Sequence, residues 1–152
     1  MNDSSPRRAP FVWLVRVYHE DTDGAGVVYY ANYLRYFERA RTEWLRALGF
    51  EQTDLAAEYR IVFVVRAINV EYLQPARFND ELQITLELAE PGASQIVFVQ
   101  RAQRVLRGTA AVLCEARVRV ACVSLLTMKP VRIPKPVSTK MSTKMSTRIR
   151  TT

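Results

Sequence analysis

The hydrophobic pattern of the chain changes its period once, and this change limits the folds open to it. Between Asn32 and Leu48, apolar residues recur every three or four positions, which predicts one long amphipathic helix. Gly49 is typical of a residue that ends such a helix. From Ile61 onwards, apolar and polar residues alternate in long stretches, which predicts β-strands. We therefore expect an α+β protein in which one long helix precedes most of the strands.

Short turns separate the predicted strands, and short connections favour antiparallel neighbours. The helix has one apolar stripe and the strands have one apolar face, so each needs the other to bury its apolar surface. We expect a five-stranded antiparallel sheet that wraps around the helix. A long outer strand leaves unpaired backbone groups at the edge of the sheet, which favours a homo-oligomer. The predicted strands cover residues 11–18, 61–72, 81–88, 94–104 and 109–123.

Charge is distributed unevenly along the chain. It has 22 lysines and arginines against 15 acidic residues, a net charge of +7. Residues 129–152 hold seven of the cations and no acid, so the rest of the chain is neutral. We do not expect nucleic-acid binding, because the folded part shows no excess positive field. The organisation that we predict is a flexible arm (1–10), one domain (11–137) and a low-complexity basic tail (138–152).

The cysteines and the absence of export signals indicate the cellular compartment of the protein. Cys114 and Cys122 fall in one predicted strand, eight positions apart. They would lie about 26 Å apart, whereas a disulfide needs Cα atoms within about 7 Å. Two thiols that cannot pair within the subunit suit a reducing compartment. The first residues lack the apolar core of a signal peptide, and no apolar run is long enough to span a membrane. We expect a cytoplasmic protein without a transmembrane segment.

A cluster of acids stands directly before the predicted helix. Glu20, Asp21 and Asp23 occupy three of four positions and precede two loop glycines, Gly24 and Gly26. Glycine lets the backbone turn tightly and approach a ligand. The first turn of a helix offers unpaired N–H donors. A carboxylate beside such donors suits acyl transfer from an ester or thioester. The alternative is a simple turn with capping acids.

Other chemistries fit the chain less well. His19 is the only histidine, and no G-x-S-x-G motif is present, which argues against a serine or cysteine triad. Histidines and cysteines are too few for a zinc site. A calcium loop that began at Asp21 would place Ala25 and Asn32 at ligand positions. There is no phosphate-binding G-x-x-x-x-G-K-[ST] motif. We therefore expect no cofactor and no metal.

The stretch VRVYHEDTDGAGVVYYANYLRYFERARTEWLRALGF strongly resembles the hotdog-fold acyl-CoA thioesterases, in particular the Tol–Pal-associated and 4-hydroxybenzoyl-CoA thioesterase family. The resemblance rests on a D-x-D-x-x-G-x-V-x-x-x-N-Y pattern and continues through FVVRAINVEYLQPARFNDEL to MKPVRIPKPV, roughly residues 11–137. It implies the hotdog fold, a five-stranded antiparallel sheet around one long helix. It also implies that Asp23 is the catalytic nucleophile or general base and that the Tyr30 backbone N–H is the oxyanion donor. Many members carry histidine at position 30.

Substrate contacts also follow from the resemblance. The family hydrolyses an acyl-CoA to free acid and CoA at sites formed between subunits of a homodimer or homotetramer. Substrate-binding candidates are Gly26 and Val27 in the loop, Phe63 and Val65 in the acyl pocket, and Lys129 and Arg132 near the CoA phosphates. The alternatives for the last four are plain core and a solvated exit segment. A competing function is a non-hydrolytic module that binds acyl-CoA or an acyl carrier protein.

Overall fold

A computed structural model describes residues 9–143 and 148–150. Most of the predicted N-terminal arm and part of the basic tail lie outside these described residues. No helix in the described ranges is long and apolar enough to cross a membrane. The helices and strands, in chain order, are β1 (Phe11–Arg16), α1 (Asn32–Ala47), α2 (Gln52–Tyr59), β2 (Ile61–Tyr72), β3 (Glu81–Pro91), β4 (Gln95–Leu106), β5 (Thr109–Ser124), α3 (Lys135–Thr143) and β6 (Arg148–Arg150).

The strands form one sheet in the order β2-β5-β4-β3-β1-β6. The first five strands of this order pair antiparallel throughout, which confirms the predicted fold. The three-residue strand β6 was not predicted, and it pairs parallel with β1. Strand β2 lies at the free edge of the sheet and hydrogen-bonds only to β5 among the described strands.

Helix α1 packs its apolar stripe against the concave face of the sheet. The predicted core positions of the helix are all buried, namely Tyr33, Phe37, Ala40, Trp44 and Leu48. The Trp44 and Phe98 rings meet edge-on, with centroids 5.3 Å apart. Burying aliphatic and aromatic side chains of this size stabilises a fold by about 1.5–3 kcal/mol each. The chain therefore folds around this helix.

Two further features concern the sheet and the chain end. Cys114 and Cys122 are buried free thiols on β5, as predicted. Burial, with the nearby Glu115 charge for Cys114, raises their pKa to about 12 and about 11. Helix α3 crosses the boundary that was predicted between the domain, which ends at residue 137, and the basic tail. Val137 and Met141 both bury their side chains in the core, so the start of the predicted tail packs with the domain.

Candidate active site

The acidic loop between β1 and α1 forms a tight hairpin. The Asp23 N–H donates to the Val27 carbonyl at 2.9 Å, and the Gly26 N–H donates to the Asp23 carbonyl at 3.1 Å. Gly26 has φ +78°, a left-handed conformation that favours glycine. The Ala25 N–H donates to Asp23 Oδ1 at 2.8 Å, which fixes the carboxylate at the tip of the loop. The Asp23 side chain is exposed there.

This loop lies against the segment that leads from β2 to β3. The Val28 N–H donates to the Ala76 carbonyl at 2.8 Å, and the Phe78 N–H donates to the Gly26 carbonyl at 3.4 Å. His19 stacks on Phe78 with ring centroids 3.8 Å apart and planes 9° apart. The tip that carries Asp23 is thus anchored on its flank, and the carboxylate projects from an ordered support.

Asp21 ties the loop to the start of α1. Its carboxylate accepts from the Tyr18 N–H at 2.8 Å and from Asn32 Nδ2 at 3.1 Å. Its main-chain carbonyl accepts from the Tyr29 N–H at 2.9 Å. Burial, and then the Asp21 charge, raise the pKa of the neighbouring Tyr36 above its ordinary value. These bonds show that Asp21 orders the loop, whereas the side chains of Glu20 and Asp23 are exposed.

The backbone at Tyr30 presents an N–H group at the head of the helix. The Tyr29 carbonyl accepts from the Asn32 N–H at 2.8 Å, which turns this peptide carbonyl toward the helix. Because the peptide bond is trans and planar, the Tyr30 N–H of the same peptide points the opposite way, out of the helix. It donates to no acceptor among the described residues. The Tyr30 ring is 61% exposed.

Tyr72 contacts this position from the end of β2, and this contact was not predicted from the sequence. Its hydroxyl donates to the Tyr30 carbonyl at 2.9 Å, and the two rings meet edge-on at 6.2 Å. The two residues are 42 positions apart, and only the pairing of β2 with β5 brings them together. Tyr72 was predicted as part of a strand, and its link to the helix start depends on the curvature of the sheet.

The predicted acyl-pocket residues lie elsewhere in the protomer. Phe63 and Val65 line a pocket of about 150 Å³ beside the second half of α1. Val65 and Tyr72 are seven positions apart on β2, a span of about 23 Å. Within one protomer, Asp23, Gly26, Val27 and Tyr30 therefore lie along one loop and helix start, whereas Phe63 and Val65 lie toward the other end of β2.

Lys129 and Arg132 are exposed and follow β5. The Ser124 N–H donates to the Lys129 carbonyl at 2.9 Å, and the Val131 N–H donates to the Cys122 carbonyl at 2.9 Å. Since Cys122 is paired with Phe63 across β5 and β2, these two cations share the end of the sheet that holds the pocket.

The loop and helix start thus offer two chemical groups on one rigid support. One is an exposed carboxylate that can attack a carbonyl carbon or activate water, and the other is a main-chain donor without an internal acceptor. In the described ranges, no cluster of three or more histidine, cysteine or acidic side chains has a geometry suited to a metal ion.

Comparison with known proteins indicates the family of the chain. Residues 17–141 match the family model of the thioesterase-like superfamily. The chain is 48% identical to the acyl-CoA thioester hydrolase YbgC of Escherichia coli O6:H1 over 127 residues, which cover 84% of the chain and 92% of that protein. It is 46% identical to the acyl-CoA thioesterase YbgC of Haemophilus influenzae over 127 residues, or 84% and 90% of the two chains.

The fold has solved counterparts. A crystal structure of a 4-hydroxybenzoyl-CoA thioesterase mutant, in complex with 4-hydroxybenzoyl-CoA, superposes with a TM-score of 0.81 at 18% identity. The match covers 87% of this chain and 98% of that one, and it supports the hotdog fold alone. With the family model matching most of the domain and close relatives spanning nearly their whole length, the chain belongs to the thioesterase-like superfamily.

Proposed function

We propose that the protein hydrolyses acyl-CoA thioesters to free acid and CoA. The observation that carries the proposal is the pairing, on one loop and helix start, of the exposed Asp23 carboxylate with the Tyr30 N–H that has no acceptor among the described residues. Two relatives that are 46% and 48% identical bear the name of this activity. Both groups belong to the chain itself, so the proposed steps draw on no cofactor.

In the proposed reaction, the thioester carbonyl oxygen accepts a hydrogen bond from the Tyr30 N–H. The Asp23 carboxylate attacks the carbonyl carbon, or removes a proton from a water that does so. Negative charge then develops on the carbonyl oxygen, where the N–H stabilises it. The C–S bond breaks, and the CoA sulfur leaves with the electron pair and gains a proton. If Asp23 attacked, a mixed anhydride forms, and water then cleaves it to release the acid and the Asp23 carboxylate. If water attacked, the acid forms directly with the water oxygen as its second oxygen. Gly26 and Val27 contact the substrate beside this carbonyl.

A second subunit completes the acyl pocket in this proposal. The free edge of β2 can pair antiparallel with β2 of another copy, which produces a homodimer with one continuous sheet. Such pairing places the Phe63 end of one β2 beside the Tyr72 end of the other. The partner subunit's Phe63 and Val65 would then line the acyl pocket near Asp23. A homotetramer of two such dimers is compatible with the same edge.

The same arrangement gives Lys129 and Arg132 a role. They lie at the Phe63 end of the sheet, so in the homodimer they would stand near the Asp23 loop of the other subunit. Their exposed cationic side chains suit the CoA phosphates, which prefer charge-assisted hydrogen bonds.

The test is to incubate the protein with a panel of aliphatic and aromatic acyl-CoAs and to measure the free thiol that appears. We expect release with at least one substrate, and release that is at least about 10²-fold slower with the Asp23→Asn variant. Tight binding of acyl-CoA without thiol release would reject hydrolysis. That outcome would favour the competing function, a non-hydrolytic module for acyl-CoA or acyl carrier protein.

A further inference from the structure

The pocket beside the second half of α1 has a mixed lining. Trp44 from α1, Phe63 from β2 and Phe98 from β4 contribute aromatic walls, and Arg41 contributes a cation. Its volume of about 150 Å³ is similar to that of an apolar protein cavity that binds benzene. The pocket can therefore hold one aromatic ring or a short branched chain.

Arg41 is held in this pocket by a neutral group. Its Nη1 donates to Gln100 Oε1 at 3.0 Å. Gln100 is fully buried, and its Nε2 donates to the Phe37 carbonyl at 3.0 Å, which fixes its oxygen toward Arg41. Burial lowers the pKa of Arg41, while the charge of Glu38 acts in the opposite direction. The remaining guanidinium N–H groups have no hydrogen-bond partner in the described part of the chain.

Some arginines of the sheet and helices are paired with a carboxylate instead. Arg46, Arg101 and Arg104 each have a carboxylate within 3.0 Å. Arg41 forms no ion pair within 4.0 Å among the described residues, although it is more buried than the exposed Arg46. Removing a guanidinium from water costs free energy that a carboxylate partner normally offsets. A guanidinium that faces a pocket with aromatic walls, with a neutral amide as its partner, is suited to an anion brought by a ligand.

We propose that this pocket binds a carboxylate attached to a small apolar group, with the carboxylate on Arg41 and the apolar part against Trp44 and Phe98. The site differs from the Asp23 loop of the same protomer, since Arg41 lies eleven residues beyond Tyr30, about 16 Å along the helix. Glu38 also lines the pocket. Its exposed charge disfavours ligands with more than one anionic group near the mouth.

The carboxylate can come from two sources, which share this chemistry. One is a free short or aromatic acid, the product class of a thioesterase. The other is a dicarboxylic acyl group, whose free carboxylate lies at the end opposite the thioester. This second source rests on the proposed hydrolysis and on the pocket holding the acyl group that reacts at the partner subunit's Asp23.

The first arm of the test measures binding of benzoate by the fluorescence of Trp44, which lines the pocket. Benzamide, with the same shape and no charge, is the matched ligand. We expect benzoate to bind at least about tenfold more tightly than benzamide, and Arg41→Met to remove this difference. Arg39→Met, an exposed arginine on the same helix, should leave it unchanged.

The second arm compares hydrolysis of glutaryl-CoA and pentanoyl-CoA, which have acyl chains of the same length. A lower KM for glutaryl-CoA that disappears in Arg41→Met supports the dicarboxylic source. A benzoate preference without a glutaryl-CoA preference supports the free acid. If the wild-type protein hydrolyses no acyl-CoA, the proposed function fails and the benzoate arm alone decides this proposal.

A second variant guards against a folding defect in Arg41→Met. Gln100→Glu supplies a carboxylate to Arg41 from the chain itself, so it should weaken benzoate binding while leaving the guanidinium in place. Circular dichroism checks that both variants fold. The proposal is overturned if benzamide binds as tightly as benzoate and glutaryl-CoA is not preferred. It is equally overturned if both preferences survive Arg41→Met and Gln100→Glu.

Discussion

The phenolic oxygen of Tyr72 lies 2.9 Å from the carbonyl oxygen of Tyr30 and donates a hydrogen bond to it, so the edge strand β2 holds the head of helix α1. Replacing Tyr72 with phenylalanine keeps the ring contact and removes this bond. We expect unfolding free energy to fall by about 0.5–1.5 kcal/mol in urea titrations. Acyl-CoA turnover should fall severalfold, because the Tyr30 N–H is held less firmly. Unchanged kcat in Tyr72→Phe would show that the bond does not position the donor.

Replacing Asp23 with asparagine tests the proposed catalytic carboxylate. The asparagine oxygen can still accept from the Ala25 N–H, so the loop should persist. We expect kcat/KM for acyl-CoA to fall by about 10²- to 10⁴-fold. The unfolding free energy should change by less than about 0.5 kcal/mol, since the side chain is exposed. Glu20→Gln removes a neighbouring exposed acid and serves as the matched control, with activity retained.

Replacing Asp21 with alanine should act through the loop. The variant loses the hydrogen bonds from the Tyr18 N–H and from Asn32 Nδ2, so both ends of the loop are released. We expect a loss of about 1–3 kcal/mol in unfolding free energy, together with lower kcat. Asp21→Asn can keep one of the two bonds and should restore part of both quantities. Equal stability of Asp21→Ala and wild type would contradict the anchoring role.

The free edge of β2 predicts the oligomeric state. Val65 is 44% exposed on β2, and a lysine there would place a charge at the proposed subunit contact. We expect the wild type to be a homodimer or larger by light scattering and Val65→Lys to be a monomer. Val105→Lys is the control, because Val105 is 40% exposed at the far end of β4. A Val65→Lys protein that keeps the wild-type mass would argue against pairing through β2.

The buried thiols predict a loss of stability at alkaline pH. The pKa values of Cys114 and Cys122 are raised to about 12 and about 11 in the folded protein, above the ordinary value of 9.0. Below pH 9 both thiols are protonated in the folded and unfolded states. Above pH 9 only the unfolded chain loses the protons, so folding stability falls as pH rises toward 11 and 12. Each thiol contributes up to about 1.4 kcal/mol per pH unit.

Urea unfolding at pH 8 and pH 10.5 measures this effect. The Cys114→Ala and Cys122→Ala double variant should lose less stability between the two pH values than the wild type does. An identical pH dependence in both proteins would show that other groups, such as the buried tyrosines, account for it.

Periodicity was sufficient to predict the architecture. The predicted helix, Asn32 to Leu48, matches α1 to within one residue, and Gly49 adopts φ +99° just beyond it. Helix α3 was harder to foresee. Its two buried residues, Val137 and Met141, are four positions apart in a polar stretch, which is too weak a signal without the sheet on which they pack.

In the candidate site too, some contacts could be predicted from the sequence and others could not. Asp23 and Tyr30 are close in sequence, so the loop and the helix start can be predicted together from a motif and from the physics of helix ends. Arg41–Gln100 and Tyr30–Tyr72 are 59 and 42 positions apart. Such contacts depend on which strand lies opposite which turn of the helix. The alternation of apolar and polar residues along a strand shows only which side chains share a face, so it does not predict these contacts.

At residue 30, the main chain and the side chain have separate tasks. The peptide orientation is set by bonds that any non-proline amino acid would preserve, whereas the ring stands largely in solvent at the head of α1. We therefore expect substitution of this ring to change which acyl groups are accepted and to leave the proposed Tyr30 N–H donor in place. If so, one substitution at position 30 would be enough to shift selectivity, with no change of the fold.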